Sequence, residues 1–191
     1  MKYRILDMDE ANERFDVKQH LYGAQSATKM LLVEGDTELD SLNLNGRVEG
    51  AYGYIIDGDL IVRGRLNSSD DQVMALLVTG SVRAKLVYSS GADTAILGDL
   101  TAERAVVGNY HHGYLKVHGR LTAPWLLNAN HQITWGELAA TAVDLYHGEV
   151  EAPYVHSHED LVEDLYDPDC EEVDFDALLA LVEAGEPFLE G

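Results

Sequence analysis

Apolar and polar residues alternate through the middle of the chain, and glycines interrupt the alternation at intervals. In the recurring pattern, apolar residues stand four and two positions before a glycine, and a third apolar residue stands two positions after it. The copies are Leu31–Gly35, Leu42–Val48, Leu60–Leu66, Leu76–Val82, Ile96–Leu100 and Leu115–Leu121, the first of them imperfect because Thr37 takes the last apolar position. Their glycines are 11, 18, 16, 18 and 21 residues apart, and the later spacings are close to one coil of a parallel β-solenoid.

The alternation continues beyond the glycine in the clearest copies. Three apolar residues each precede an alanine by two positions: Val82 and Ala84, Leu100 and Ala102, and Leu121 and Ala123. Alternate side chains of a strand point to opposite faces, so the inward ones would stack on the next coil, with the alanines in a narrow corner. The pattern predicts a mainly β protein with a parallel β-helix. An antiparallel β-sandwich with turns at the glycines is the alternative, which the recurring residue identities disfavour.

The two ends of the chain do not repeat. Residues 1–29 are predicted to form an N-terminal cap, with a strand at Tyr3–Leu6 and a helix at Asp9–Phe15. The solenoid repeats are assigned to residues 30–148, although the alanine-rich stretch Glu137–Asp144 is expected to break the pattern.

Residues 149–191 are predicted to form an acidic helical segment. Ser157 and Asp174 are expected N-caps of two short helices, and Gly185 is expected to end the second. Apolar residues alternate with the acids, so the segment is expected to fold against the far end or the flank of the solenoid.

Charge is distributed very unevenly along the chain. The 191 residues include 34 acidic and 13 basic side chains, for a net charge of -21, while 46% are hydrophobic and can supply a core. Residues 121–191 hold 17 of the acids and no basic residue, since the last one is Arg120. This field excludes generic binding to nucleic acid or to anionic membranes. One cysteine, Cys170, excludes a disulfide framework, and the lack of a signal peptide or a long apolar stretch predicts a cytoplasmic location.

Motifs for catalysis or metal binding are weak. His111, His112, His118, His131, His156 and His158 do not have the spacing of a zinc site, so neither a metal nor a cofactor is predicted. Paired carboxylates such as Asp57 and Asp59 are expected in so acidic a chain, and neither a nucleophile elbow nor a phosphate-binding loop occurs. The chain is therefore not expected to be an enzyme. The arginines and lysines of the repeats are interpreted as outward side chains that balance acids on neighbouring coils.

Three strings in the repeats resemble those of the bactofilins, a family of polymer-forming cytoskeletal proteins. They are Leu-Ile-Val-Arg-Gly-Arg-Leu (60–66), Leu-Leu-Val-Thr-Gly-Ser-Val-Arg-Ala (76–84) and Leu-Lys-Val-His-Gly-Arg-Leu-Thr-Ala (115–123). The resemblance implies a right-handed β-helix of triangular cross-section and end-to-end polymerisation. The terminal segments depart from the family pattern and would block polymerisation if they cap the ends. The layout also resembles bactofilin-like proteins that accompany bacterial polymorphic toxins, which implies a cytosolic immunity protein.

Two functions follow as expectations. The first is a non-enzymatic protein that binds and neutralises a basic toxin domain through its acidic surface. The expected partner-binding residues are the following: Tyr154, Asp160, Glu163, Asp164, Tyr166, Asp167, Asp169, Glu171, Glu172 and Asp176. The second is a self-assembling structural scaffold. A homodimer through an exposed sheet or edge is an open alternative in either case.

Overall fold

The chain forms a β-solenoid of about five turns, which confirms the predicted β-helix. The structure is a computed structural model that describes residues 1–46, 48–68, 74–109, 112–145, 154–162, 165–167 and 172–189. One sheet consists of β1 (Arg4–Asp7), β2 (Lys29–Glu34), β5 (Gly53–Asp57), β7 (Ala75–Val78), β9 (Asp93–Ile96), β11 (Tyr114–Val117) and β13 (Gln132–Thr134). The other consists of β3 (Thr37–Leu39), β4 (Leu42–Asn43), β6 (Leu60–Ser68), β8 (Val82–Ser89), β10 (Leu100–Asn109), β12 (Arg120–Ala129), β14 (Glu137–Asp144) and β15 (Tyr154–Ser157).

The long strands of the second sheet bend, so each coil has three faces. The pairing of β6 with β8 shifts register between Val62 and Arg65, and similar shifts recur in β10 and β12. We call the first sheet face 1, the N-terminal halves of the long strands face 2, and their C-terminal halves face 3. The alanine-rich stretch Glu137–Asp144 does not break the pattern, because it is β14 and pairs in parallel with β12.

Apolar side chains stack coil upon coil in the interior. Leu60, Val82, Leu100 and Leu121 pair in register along face 2, and all four are buried. Ala84 pairs with Ala102 beside the bend, where both are buried in the same core as predicted. No single coil encloses a core, so this interior exists only because successive coils stack.

Glycines of successive coils stack in a column, and this column does not contain every glycine of the sequence pattern. The amide of Gly98 donates to the carbonyl of Gly80 (2.9 Å), and Gly80 donates to Gly58 in the same way (3.0 Å). A Cβ at Gly98 would lie 2.7 Å from the Gly80 carbonyl oxygen, so this column requires glycine for close approach. Gly46 and Gly64 follow the same sequence pattern but do not belong to this column. Gly46 has a positive φ in the loop after β4, and Gly64 lies at the bend of β6.

A ladder of side chains runs beside the glycine column. The carboxylates of Asp36, Asp59 and Asp99 and the hydroxyl of Ser81 each accept a hydrogen bond from a backbone amide on the next coil, at 2.7–3.1 Å. These acceptors satisfy amides that the strand ladders leave free at the turn. Asp59 of the Asp57–Asp59 pair therefore has a structural role.

The N-terminal segment covers the outer side of face 1. β1 pairs antiparallel with β2 and so occupies the first edge of the sheet. The segment continues through α1 (Met8–Phe15), α2 (Val17–His20) and a 3₁₀ helix (Tyr22–Ser26). Its buried side chains, among them Leu6, Val17 and Leu21, pack against Leu32, Ile55, Leu77 and Ala95 of the sheet.

The C-terminal segment covers the outer side of face 3. It contains β15, a 3₁₀ turn (His158–Asp160), β16 (Tyr166–Asp167), β17 (Glu172–Val173) and α3 (Phe175–Ala184). Leu161, Leu165, Leu178, Val182 and Phe188 pack against Leu86, Ala105, Leu127 and Val143. Of the two expected C-terminal helices, α3 matches the second, while the described residues of the first form 3₁₀ turns and no α-helix.

Candidate partner-binding surface

The acidic C-terminal segment is folded onto the solenoid with its apolar side inward. Asp174 caps α3, because its carboxylate accepts a hydrogen bond from the amide of Ala177 (2.9 Å), and Gly185 ends the helix at φ 77°. Leu178 and Val182 are buried against face 3, and the ring of Phe188 meets Trp125 edge-on at 5.0 Å. The packing leaves exposed acids on the outer side of this segment: Glu159, Asp160, Asp174, Asp176 and Glu186. We call these five residues the acidic flank.

Asp160 and Asp176 are the predicted partner-binding acids whose exposure the structure describes. Asp176 lies in the first turn of α3, where a negative charge also interacts favourably with the helix dipole. Asp160 has a local role as well, because its carboxylate accepts from the amide of Ser157 (2.9 Å) and completes a capping box. The same carboxylate lies 3.4 Å from Nδ1 of His156.

Tyr154 links β15, the last strand of face 3, to β12, which lies two strands away in the sheet. Its hydroxyl accepts a hydrogen bond from the side-chain amide of Asn128 at 2.8 Å, and burial raises its pKa. The side chain is half-buried and packs against the interior core. Because its hydroxyl bonds to Asn128 and its ring packs partly on the core, Tyr154 has less surface to offer a partner than a fully exposed tyrosine.

The other predicted residues are described only in part. Tyr166 and Asp167 form β16, and Glu172 begins β17, which pairs antiparallel with it. The remaining acids lie outside the described residues: Glu163, Asp164, Asp169 and Glu171. Sequence reasoning missed Glu159, Asp174 and Glu186, which belong to the same uninterrupted acidic stretch and could have been included on that ground.

Two arginines of the solenoid contact α3. Arg65 forms an ion pair with Glu183 through Nη2 at 2.7 Å and donates from Nε at 2.8 Å. The guanidinium of Arg104 occupies the space that a Cβ on Gly185 would need, at the C-terminus of α3. A cation is favourable there because the last carbonyls of a helix carry partial negative charge. On face 2, Arg63 instead pairs with Glu38 and Asp40 of the neighbouring coil, as expected for the repeats.

A groove that sequence reasoning did not predict lies between the N-terminal segment and the edge of face 1. Its volume is 570 Å³, and its lining includes Tyr22, Tyr52, Asp93, Tyr114 and Gln132. The carboxylate oxygen Oδ2 of Asp93 accepts from the Tyr52 hydroxyl at 2.6 Å and from the amide of Gly23 at 2.9 Å. Burial and this hydrogen bond raise the pKa of Tyr52 well above its usual value. The residues come from distant positions of the sequence, and no local motif joins them.

A pair of histidines lies at the contact between the N-terminal segment and face 1. The rings of His20 and His118 meet edge-on with centroids 5.2 Å apart. Burial lowers the pKa of both histidines, and the charge of Lys116 lowers each further. Within the described residues, no group of three or more potential ligands is arranged to hold a metal ion.

Comparison of the chain with known protein families, with curated proteins and with solved structures finds no match. The fold thus defines the class, a β-solenoid with a segment packed on each of two faces. Within the described residues, no helix has the length and hydropathy needed to span a bilayer.

Proposed function

We propose that this chain is a non-enzymatic protein that binds a basic protein domain through the acidic flank. The observation that carries the proposal is the packing of a segment that has no lysine or arginine of its own. Its apolar side chains are buried against face 3, and five carboxylates are left on its outer side. The surface is therefore formed before any partner arrives, which lowers the entropic cost of binding.

The charge of the acidic flank suits a basic partner. The negative carboxylates repel each other, and a basic surface relieves that repulsion when it binds. Complementary fields also accelerate association and make it sensitive to salt. The carboxylates of Asp160 and Glu183 already lie beside His156 and Arg65, so Glu159, Asp176 and Glu186 are the better candidates for contact.

The more specific form of the proposal is a cytoplasmic immunity protein that neutralises a toxin domain. It is supported by the resemblance of the repeats to bactofilin-like proteins that accompany polymorphic toxins. A domain that cleaves nucleic acid needs a basic cleft to bind phosphates, and an acidic surface can occlude such a cleft. The alternative, a scaffold that stacks end to end, is disfavoured by β1, which occupies the edge of β2 in antiparallel orientation.

The test uses the product of the reading frame next to this gene, because immunity proteins are encoded beside their toxins. We expect the purified C-terminal domain of that product to bind the full chain, and binding to weaken as salt rises. The triple variant Glu159→Lys, Asp176→Lys, Glu186→Lys should reduce affinity by about tenfold or more, in line with lost interfacial charge pairs.

The matched control reverses three exposed acids elsewhere, in the variant Glu13→Lys, Glu49→Lys, Glu103→Lys. It changes the net charge by the same amount, so it separates local contact from the overall field. Equal loss of binding in both triple variants, or binding that neither salt nor reversal changes, would contradict the acidic flank as the binding surface. Growth rescue of cells that produce the domain tests the immunity role separately.

A further inference from the structure

The groove beside face 1 presents one carboxylate oxygen in a fixed position. Oδ2 of Asp93 is held by the Tyr52 hydroxyl and the Gly23 amide, whereas Oδ1 has no hydrogen-bond partner within the described residues. The raised pKa of Tyr52 keeps its hydroxyl protonated, so the tyrosine remains a donor to Asp93. The carboxylate therefore cannot rotate freely, and one oxygen is available to a donor in the groove.

An exposed aromatic ring lies in the same groove. Tyr22 is 66% exposed. It is nevertheless held in place, because its ring meets Tyr114 edge-on at 4.9 Å and its amide donates to the Tyr114 hydroxyl at 2.9 Å. The Tyr114 hydroxyl in turn donates to the carbonyl of His20 at 2.6 Å. The ring is thus preorganised and open on the groove side.

We propose that this groove binds an arginine side chain of a protein partner. A guanidinium donates to a carboxylate oxygen while its flat face stacks on an aromatic ring, and the groove supplies both groups in Asp93 and Tyr22. The side-chain carbonyl of Gln132, also in the lining, accepts a further N–H. Lysine fits less well, because its ammonium is more strongly hydrated and lacks a flat face.

This inference rests on the proposed function in one respect, since it takes the partner to be a basic protein. It adds a second contact point, because the groove adjoins face 1, whereas the acidic flank lies on the segment that covers face 3. A basic partner that inserts an arginine here would be positioned as well as attracted. Directional hydrogen bonds of this kind provide specificity that a diffuse charged surface lacks.

The test is an NMR titration of the ¹⁵N-labelled full chain with N-acetyl-arginine amide. We expect the amides of Gly23, Gly113 and Gln132 to shift with this probe and not with N-acetyl-citrulline amide, its uncharged isostere. The variant Asp93→Asn should weaken binding about tenfold or more, since the hydrogen bond to a charged acceptor is lost. The variant Tyr22→Ala should weaken it about three- to fivefold, as for an exposed cation–π contact.

Tyr3→Ala is the matched control, since Tyr3 is also an exposed tyrosine, 39% accessible, but lies outside the groove lining. Asp93→Asn could loosen the N-terminal segment, so each variant is also melted by circular dichroism. Tyr22→Ala removes a largely exposed ring and keeps the test valid if Asp93→Asn does not fold. Equal shifts with both probes, or unchanged binding in Tyr22→Ala, would overturn the inference.

The two proposals can fail separately. If the arginine probe does not bind while the C-terminal reversals still abolish partner binding, only the groove inference fails. If the probe binds in the groove while the C-terminal reversals leave partner binding unchanged, only the proposal that the acidic flank binds the partner is contradicted.

Discussion

Face 1 and face 2 belong to the same coils but differ in what covers them. The outward residues of face 1 are apolar and buried, because the N-terminal segment packs on them: Leu32, Ile55, Leu77 and Ala95. The outward residues in register along face 2 are mostly polar and are exposed or half-buried: Glu38, Ile61, Arg83, Thr101 and Thr122. A parallel sheet covered on both sides has continuous apolar strands, whereas one open side requires alternation. The polarity of the outward residues thus indicates whether a segment packs on that face.

The largest expected effect comes from an outward residue under the N-terminal segment. Leu77→Ala should lower the free energy of unfolding by about 3 kcal/mol, because it leaves a cavity between face 1 and the N-terminal segment. Thr101→Ala on face 2 should change it by no more than about 0.5 kcal/mol, since this position is not covered. Urea denaturation of both variants measures the difference. Similar losses in the two would contradict the distinction between a covered and an open face.

A smaller effect is expected at acidic pH, where the N-terminal segment should loosen from face 1. The folded-state pKa values of His20 and His118 lie below the ordinary value of 6.5, so the unfolded chain takes up protons first. The stabilisation that depends on neutral His20 and His118 is complete above pH 6.5, and it is lost as the pH falls through their lowered folded-state pKa values. Urea denaturation at about pH 7.5 and about pH 5.5, on either side of the ordinary value, measures the loss.

The double variant His20→Gln, His118→Gln should flatten this part of the pH dependence. The control is His156→Gln, which removes a histidine near Asp160, away from face 1. If the control flattens the dependence as much as the double variant does, the paired histidines are not its source. Hydrogen exchange of the α1 and α2 amides would locate the loosening.

The smallest effect is expected for the ion pair that ties α3 to the solenoid. Arg65→Ala should cost about 0.5 kcal/mol, since both charged groups are partly exposed. Arg63→Ala on face 2 should cost a similar amount, because Arg63 also loses exposed partners. Only Arg65→Ala should speed hydrogen exchange in α3. Equal exchange in the two variants would show that the apolar contacts alone hold α3 in place.

Much of the architecture could be predicted from local pattern. The period-two alternation in stretches such as Leu60–Leu66 predicted strands, and the recurrence of the pattern predicted coils. The caps Ser157 and Asp174 were predicted from residue type and spacing, and both accept the expected backbone hydrogen bonds. These features depend on neighbours within a few residues, which is why a single sequence contains them.

The register of the coils could not be read in the same way. Gly46 and Gly64 follow the same apolar pattern as Gly80 and Gly98, yet only the latter two belong to the column of glycines. A Cβ at Gly64 would also meet a carbonyl of the preceding coil, that of Asp40 at 2.7 Å, but at the bend of β6, whereas a Cβ at Gly46 would have nothing within 4 Å. Strand pairing between neighbouring coils joins residues 12 to 24 positions apart, so a window of a few residues does not reveal the spacing.

Of the two candidate binding sites, one could be predicted from the sequence and the other could not. The acidic flank could be anticipated from composition, because the stretch after Arg120 has no basic residue. The groove could not, since Asp93 meets Tyr22 and Tyr52 only when the N-terminal segment packs beside face 1.

The sequence by itself determined the repeat, the strand pattern and the separation of charge, since these are properties of residue type and short-range spacing. Only the tertiary structure decided which glycines stack, which faces are covered and which polar groups meet in the groove. Those outcomes depend on packing between residues far apart in the chain, where burial and shape, rather than local propensity, select the partners.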